Sequence, residues 1–211
     1  MRCDWPVIDT PRLRLRPFAR RDMDAVFRIF SDLQVNTYLP WPAVKSYAQA
    51  KAFYDTHYAA YETQKRQGCR YAVCLRQDDV PIGYVHLSEP PGCDLGYGLL
   101  PRFWHRGIMT EACTAVLAQA QQEGYTYVTA THDVNNPASG AVMRRLGMQY
   151  CSAYWEKWQP KNIWVLFRMY QYNFVPGDCS VYRAYWEHAG ARVVERQAEQ
   201  LSCAQGKGEF I

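Results

Sequence analysis

Neither of the common glycine patterns of nucleotide sites, Gly-x-x-x-x-Gly-Lys-Ser/Thr or Gly-x-Gly-x-x-Gly, occurs in the 211 residues, which argues against P-loop and dinucleotide-binding folds. The chain has eight cysteines, but no Cys-x-x-Cys pair and no Cys/His spacing suited to zinc, so no metal is expected. No stretch is long and apolar enough to span a bilayer, and the opening Met1-Arg2-Cys3-Asp4-Trp5-Pro6 has no apolar signal-peptide core. These absences predict a cytoplasmic protein with reduced thiols and no membrane partner. A large excess of charge is missing too: 24 basic against 20 acidic residues give a net charge of +4. That balance tolerates an anionic ligand but falls short of a nucleic-acid signature, so none is expected as a partner. Internal repeats and long low-complexity runs are also absent.

What is present is an ordinary globular composition, 48% hydrophobic and 21% charged. A chain of this length can bury a core without covalent staples. Arg12-Leu13-Arg14-Leu15-Arg16 alternates charge and leucine, the period of a strand with one wet face. Asp22 can cap a helix carrying Val26, Ile29, Phe30 and Leu33 at helical spacing. Tyr38-Leu39-Pro40-Trp41-Pro42 must be a loop, because its prolines block both regular structures. Ser46 can cap a longer helix reaching to about Gln67, with Gly68 as its stop. Strands are predicted at 70–76 and 82–88. After Pro90-Pro91-Gly92 the pattern becomes strand and helix in alternation. It predicts a strand over 94–100, a helix over 107–122, a strand over 125–132 and a helix capped by Asn136 with Pro137 at its first position. Strands near 148–157 and 163–174 finish the sheet. The implied fold class is α/β, with a mixed sheet. Pro176-Gly177-Asp178 marks a boundary, so residues 1–175 read as one domain and 176–211 as an extension, helical from about Val181 to Leu201.

The informative stretch is Gly96-Tyr97-Gly98-Leu99-Leu100-Pro101-Arg102-Phe103-Trp104-His105-Arg106-Gly107-Ile108-Met109-Thr110-Glu111. It is a strand, a short basic turn and a helix. The first N–H groups of a helix have no partner inside it, and with the positive end of the helix dipole they bind anions. Gly107 lets backbone approach a phosphate closely. Arg102, His105 and Arg106 add cationic or hydrogen-bonding reach. The bland reading is a strand–helix connection that happens to carry arginines.

This run, with Asn135-Asn136-Pro137-Ala138-Ser139 and Arg145-Leu146-Gly147-Met148 behind it, resembles the GNAT superfamily of N-acetyltransferases. Thr10-Pro11-Arg12-Leu13-Arg14-Leu15-Arg16-Pro17 and Tyr38-Leu39-Pro40-Trp41 are similar to its Rim-type branch, which acetylates ribosomal protein N-termini. The resemblance implies a mostly antiparallel, splayed central sheet with helices on both faces and acetyl-CoA as co-substrate lying in the splay. Residues from Arg106 through Gly107, Ile108 and Met109 to Thr110 would hold the pyrophosphate by backbone N–H groups. Trp104 and Met109 depart from the family's loop pattern. Leu99 and Leu100 would pair with the pantetheine arm, and Asn136 and Ser139 match the family's Asn-x-x-Ser. Asp94 aligns with a base of some relatives. Each has a plainer reading: Asn136 as a helix cap, Ser139 as an idle first-turn serine, Asp94 as a strand-end carboxylate in solvent. Tyr38, Trp41, Trp155, Trp158 and Trp164 can wall an acceptor pocket or be core.

The expected reaction is direct attack of an amine on the thioester, because no cysteine stands beside a histidine in a way that recommends a covalent route. Ser139 would serve the sulfur, and Asp94 or a water chain would take the amine proton. A peptide α-amine, of pKa about 8, is roughly a tenth neutral at pH 7, whereas a lysine at about 10.4 is neutral only to about 0.04%. The absence of an unmistakable base therefore leans toward a peptide or small-molecule amine as acceptor. A non-catalytic acyl-CoA sensor is the competing reading. A homodimer is one way to cover the aromatic extension.

Overall fold

The structure is a computed structural model that describes residues 5–59 and 68–193. Strands β1 (Ile8–Asp9), β2 (Leu13–Pro17), β3 (Cys69–Leu75), β4 (Pro81–Leu87) and β5 (Leu95–Leu99) form one antiparallel sheet in chain order. A second antiparallel sheet runs β6 (Tyr127–Asp133), β8 (Ile163–Asn173), β7 (Gln149–Trp158), β9 (Ala191–Val193). Helices α1 (Met23–Ser31), α2 (Leu33–Asn36), α3 (Tyr47–Tyr54), α4 (Ile108–Gln122), α5 (Pro137–Arg145) and α6 (Ala184–Glu187) cover the sheets. No helix among the described residues is long and apolar enough to cross a membrane.

β5 and β6 run parallel and meet at a bridge between Asp94 and Thr129, where the Thr129 N–H donates to the Cys93 carbonyl at 3.0 Å. Past that bridge no ladder joins them among the described residues, and a V-shaped gap opens toward their C-terminal ends. The halves are held by side chains instead. Ala112, Cys113, Val116 and Ala120 of α4 share one core with Leu13, Leu15 and Val85 of the first sheet and Val128 and Ala130 of the second. Each fully buried aliphatic side chain contributes roughly 1.5–3 kcal/mol, so this core can span a split sheet without backbone bonds. On the other side of the first sheet α1 and α3 bury Val26, Ile29, Phe30, Ala50 and Tyr54. The predicted splayed α/β fold is therefore present.

Three expectations need correcting. Asp22 does not cap α1 by its side chain; its carboxylate takes the buried Arg16 guanidinium at 2.7 and 3.0 Å and the Ala19 N–H at 2.7 Å. Arg16 is thus not on a wet face, because Asp22 and Asp79 satisfy it inside. Ser46 does cap α3, accepting from the Gln49 N–H at 3.2 Å, but the α-helix ends at Tyr54 and a single wider turn follows over Asp55–Ala59. Asp55-Thr56-His57 is a run of weak helix formers. The remainder of that predicted helix, 60–67, lies outside the described residues. The third concerns the extension, where among the described residues only Ala184–Glu187 is helical. At Gly190 the backbone passes so close to Trp164 that a Cβ would lie 2.7 Å from its ring, and 191–193 then pairs with the edge of β7. An available ladder outweighs helical propensity there. The expected helix beyond Val193 lies outside the described residues.

Candidate active site

At the open end of the V, Gly107 is the N-cap of α4 with φ +71°, a left-handed conformation that costs an L-residue roughly 1–2 kcal/mol. His105 is also left-handed, at φ 57°. No side chain caps the helix, and the first helical bond runs from the Glu111 N–H to the Gly107 carbonyl at 3.0 Å. The N–H groups of Ile108, Met109 and Thr110 therefore have no partner within α4. Ile108 and Met109 turn their side chains into the core, so they offer backbone alone. Met109, which departs from the family's loop pattern, leaves the turn unobstructed for this reason. Arg102, His105, Arg106 and Gly107 are exposed around it. The Arg102 guanidinium lies 4.7 Å above the Phe103 ring. An exposed, uncapped, glycine-opened helix start ringed by cations fits a diphosphate.

Behind the turn, Arg12 braces it. Its Nη1 donates to the Arg106 carbonyl at 2.8 Å, and its Nε donates to Glu111 at 2.6 Å. The other Glu111 oxygen accepts from Thr10 Oγ1 at 2.6 Å and from the Arg12 N–H at 3.0 Å. Burial pushes the Glu111 carboxyl up, but these donors from Thr10 and Arg12 outweigh it and hold the group below its usual value.

The strand edge is narrower than the sequence suggests. The Leu100 N–H donates to the Ile82 carbonyl at 2.9 Å, and the Leu100 carbonyl accepts from the Phe103 N–H at 3.0 Å. Leu100 thus has no free N–H for a ligand, and its carbonyl is already engaged, contrary to expectation. Antiparallel pairing with β4 turns alternate residues of β5 outward, so the groups facing the gap belong to Leu95, Tyr97 and Leu99. The Leu99 carbonyl is already engaged by Trp104 Nε1 at 2.7 Å. Trp104 therefore caps the end of β5, a role its position in the loop did not announce.

Deeper in the V lies a cleft of about 340 Å³. Three sequence candidates from the V meet there, Asp94, Asn136 and Ser139, together with Tyr97 of β5 and with Tyr38 and Trp41 from the loop between α2 and α3. Asn136 caps α5, its Oδ1 accepting from the Ser139 N–H at 3.2 Å. Ser139 Oγ donates to the Tyr97 hydroxyl at 3.0 Å, and that hydroxyl donates to the Ser139 carbonyl at 2.8 Å. Of the late tryptophans only Trp158 lines the cleft. Period-2 alternation along β7 carries Trp155 to the other face, and Trp164 is exposed on β8.

Asp94 is no solvent-facing strand end. Its Oδ1 is sealed from water and has no hydrogen-bond partner. Burial pushes its carboxyl up to about 7, against a hydrogen bond from Tyr185, with the negative charge of Glu156 adding to the rise. His86 also borders the cleft, and burial drives its imidazole down to about 4, aided by Arg70 and His57, so it is neutral near pH 7. His132 Nδ1 hydrogen-bonds the Asp133 carbonyl at 2.8 Å, which leaves Nε2 unpartnered. Glu156 and Tyr185 are among the cleft residues that escaped the sequence reading. Glu156 shares the inner face of β7 with Tyr154 and Trp158, a period-2 relation that was available; Tyr185 comes from the extension, which no local pattern connects to β5.

The model of the Acetyltransferase (GNAT) domain matches residues 12–149, and the chain belongs to that family of acetyl-CoA-dependent acetyltransferases. A relative in Bacillus subtilis, the uncharacterized N-acetyltransferase YoaA, is 26% identical over 184 residues, covering 84% of this chain and 96% of its own. A GNAT-family acetyltransferase of Bacillus anthracis superposes with TM-score 0.69 at 23% identity, covering 80% of this chain and 98% of the other. RimL, the ribosomal L7/L12 α-N-protein acetyltransferase solved with coenzyme A, superposes with TM-score 0.66 at 18% identity over 79% of this chain and 97% of its own. The fold likeness thus extends to the Rim-type branch.

Proposed function

We propose that this acetyltransferase passes the acetyl group of acetyl-CoA to a primary amine by direct attack in a ternary complex, and that the acceptor enters the cleft as a cation. One observation carries this reading. The uncapped start of α4 and the buried Asp94 carboxyl border the same V-shaped gap at its two ends. Acetyl-CoA supplies the activated thioester. The N–H groups of Ile108, Met109 and Thr110, with Arg102, His105 and Arg106, hold its diphosphate. The outward N–H groups of Tyr97 and Leu99 hold the arm and face the developing oxyanion. Asn136 orders the start of α5, and the Ser139 hydroxyl, set by Tyr97, lies where the departing sulfur needs a donor. Asp94 attracts the ammonium form of the acceptor and removes its proton. A base of pKa about 7 is well matched to that task.

The direct route is favoured because no cysteine lines the cleft among the described residues. Tyr38, Trp41 and Trp158 give the acceptor aromatic walls. An α-amine at a peptide N-terminus suits such a site, and RimL acts on an acceptor of that kind. Small cationic amines are the alternative acceptors. The working protein is proposed to be a cytoplasmic enzyme whose acetyltransferase domain spans residues 1–175, with 176–211 as an extension. The test is coenzyme A release across peptide α-amines, lysines, polyamines and aminoglycosides. Saturable turnover on at least one class supports transfer. Tight acetyl-CoA binding with no turnover on any amine would replace it with the acyl-CoA sensor.

A further inference from the structure

The matched family domain ends at residue 149, yet the cleft is closed by a residue far beyond it. After β8 the chain turns back across the second sheet. The Gln171 side chain fixes this return, donating to the Ser180 carbonyl at 2.8 Å and accepting from the Tyr182 N–H at 2.8 Å. α6 then lays Tyr185 flat on Tyr154, ring centroids 5.9 Å apart and planes 8° apart. Tyr182 packs edge-on against Tyr185 at 5.3 Å, and both join the cluster of Tyr154, Trp158 and Phe167. The Tyr185 hydroxyl reaches the joint between the sheets. It lies 3.4 Å from Thr129 Oγ1, close over Gly92, and beside the Asp94 side chain, whose charged form it favours. After β8, β9 ties the far end of this segment to β7.

We propose that the segment after β8 is an integral wall of the acceptor cleft, and that Tyr185 is a positioning residue that orients Asp94 and sets when it gives up its proton. This rests on the reading of Asp94 as the base. Tyr185 and Asp94 line the same cleft, with the phenol beside the carboxyl group and Asp94 Oδ1 buried without a hydrogen-bond partner. Because the phenol donates to the carboxylate, it favours the charged form and offsets part of the effect of burial. The charged and titratable groups facing Asp94 are Glu156 and Tyr154 from β7, Tyr97 from β5 and Tyr185 itself; His86 and His132 border the same cleft. Glu156 opposes ionisation of Asp94, so Tyr185 is the facing group that assists it.

The experiment compares wild type with Tyr185→Phe, which keeps the ring stack and removes only the hydroxyl. Carboxyl-carbon NMR follows the Asp94 titration in each, with Asp94→Asn identifying the signal, and pH–rate profiles follow acetyl transfer. The Asp94 midpoint is expected to rise by about one pH unit in Tyr185→Phe. The acid limb of kcat/KM should move with it, giving a loss of about tenfold at pH 6 that shrinks toward pH 9, with KM for acetyl-CoA unchanged. Asp94→Asn should make the Tyr185→Phe change silent. An unmoved midpoint, or a uniform loss at every pH, would overturn the proposal. The NMR titration needs no turnover. A shifted midpoint in a protein inactive on all amines would retain the Tyr185–Asp94 link and reject the enzymatic reading instead.

Discussion

The turn before α4 is exposed, basic and contiguous in sequence, whereas the cleft at the other end of the same gap is enclosed, acidic and gathered from β5, β7, α5, α6 and the loop after α2. The turn presents backbone groups and one left-handed glycine, so under the proposed role most of its side chains are replaceable. The cleft presents particular side chains, Asp94 and His86 among them, whose proton affinities are shifted by burial. This contrast suggests that a family can keep one donor-binding turn while the acceptor cleft changes freely. It also says where substitutions should separate the two halves of the reaction.

The sharpest break is Asp94→Asn. Loss of a general base costs about 10²–10⁴-fold in rate, so kcat/KM for the amine should fall by at least about 100-fold while KM for acetyl-CoA holds. Wild-type activity should rise with pH through about 7 and level off, because the base acts deprotonated. The variant should lose that limb; a variant retaining both rate and limb would remove Asp94 from the chemistry. The same substitution has a second signature. The Asp94 folded value, about 7, lies above its unfolded value of 3.8, so the folded chain binds the extra proton between them. Its stabilising contribution is complete below about pH 4 and is lost as pH rises through about 7. Asp94→Asn should therefore raise Tm at pH 8, by an amount equivalent to a few kcal/mol at most, and leave it nearly unchanged at pH 4. Equal Tm changes at both pH values would contradict the burial argument.

Next comes Gly107→Val, aimed at the turn. A β-branched residue at φ +71° meets left-handed strain, and its Cβ would lie 3.6 Å from Arg12 Nη2, in the turn proposed to hold the diphosphate. KM for acetyl-CoA should rise about tenfold or more, with the amine KM unchanged. Isothermal titration with coenzyme A checks the binding half directly; unaltered affinity would move the phosphate site elsewhere.

Glu156→Gln probes charge at the cleft mouth. The residue is exposed, so its pull on a cationic acceptor is screened. KM for charged amines should rise by about two- to fivefold, less at high salt. Equal effects at low and high ionic strength would show that Glu156 contributes by shape rather than charge.

What could be read from sequence follows the same division. The turn before α4 was legible because all its parts, Gly107, the arginines and the helix start, lie within one short segment. Asn136 and Ser139 were legible for the same reason, as a cap and its first turn. The state of Asp94 was not, since its burial depends on Tyr185 and Glu156, more than sixty residues away. Nor was Leu100, whose backbone groups are claimed by Ile82 and Phe103 through a register that only pairing with β4 determines. Trp104 illustrates the limit within the legible part: its place in the loop was clear, and its bond to Leu99 was not. The extension misled because Val181 onward has helical composition, yet a free sheet edge lay within reach.

The smallest expected effect tests how far the turn stands on its own. Arg12 touches it only from behind, through the Arg106 carbonyl and Glu111, and its side chain is about half exposed at 49%. Exposed ion pairs contribute about 0.2–1 kcal/mol, so Arg12→Ala should raise KM for acetyl-CoA by only about two- to fivefold. Arg12→Lys should recover little of this, because a lysine cannot bond Glu111 and the Arg106 carbonyl with one planar fork. Salt should mimic the substitution in wild type, since added ions weaken the same pair. A loss beyond about tenfold would mean that Arg12 contacts the donor itself. Its Nη2 would sit 3.6 Å from a Cβ at Gly107, near enough to make that outcome informative. No change at all would show that the left-handed glycine and the buried Ile108 and Met109 fix the turn without a brace.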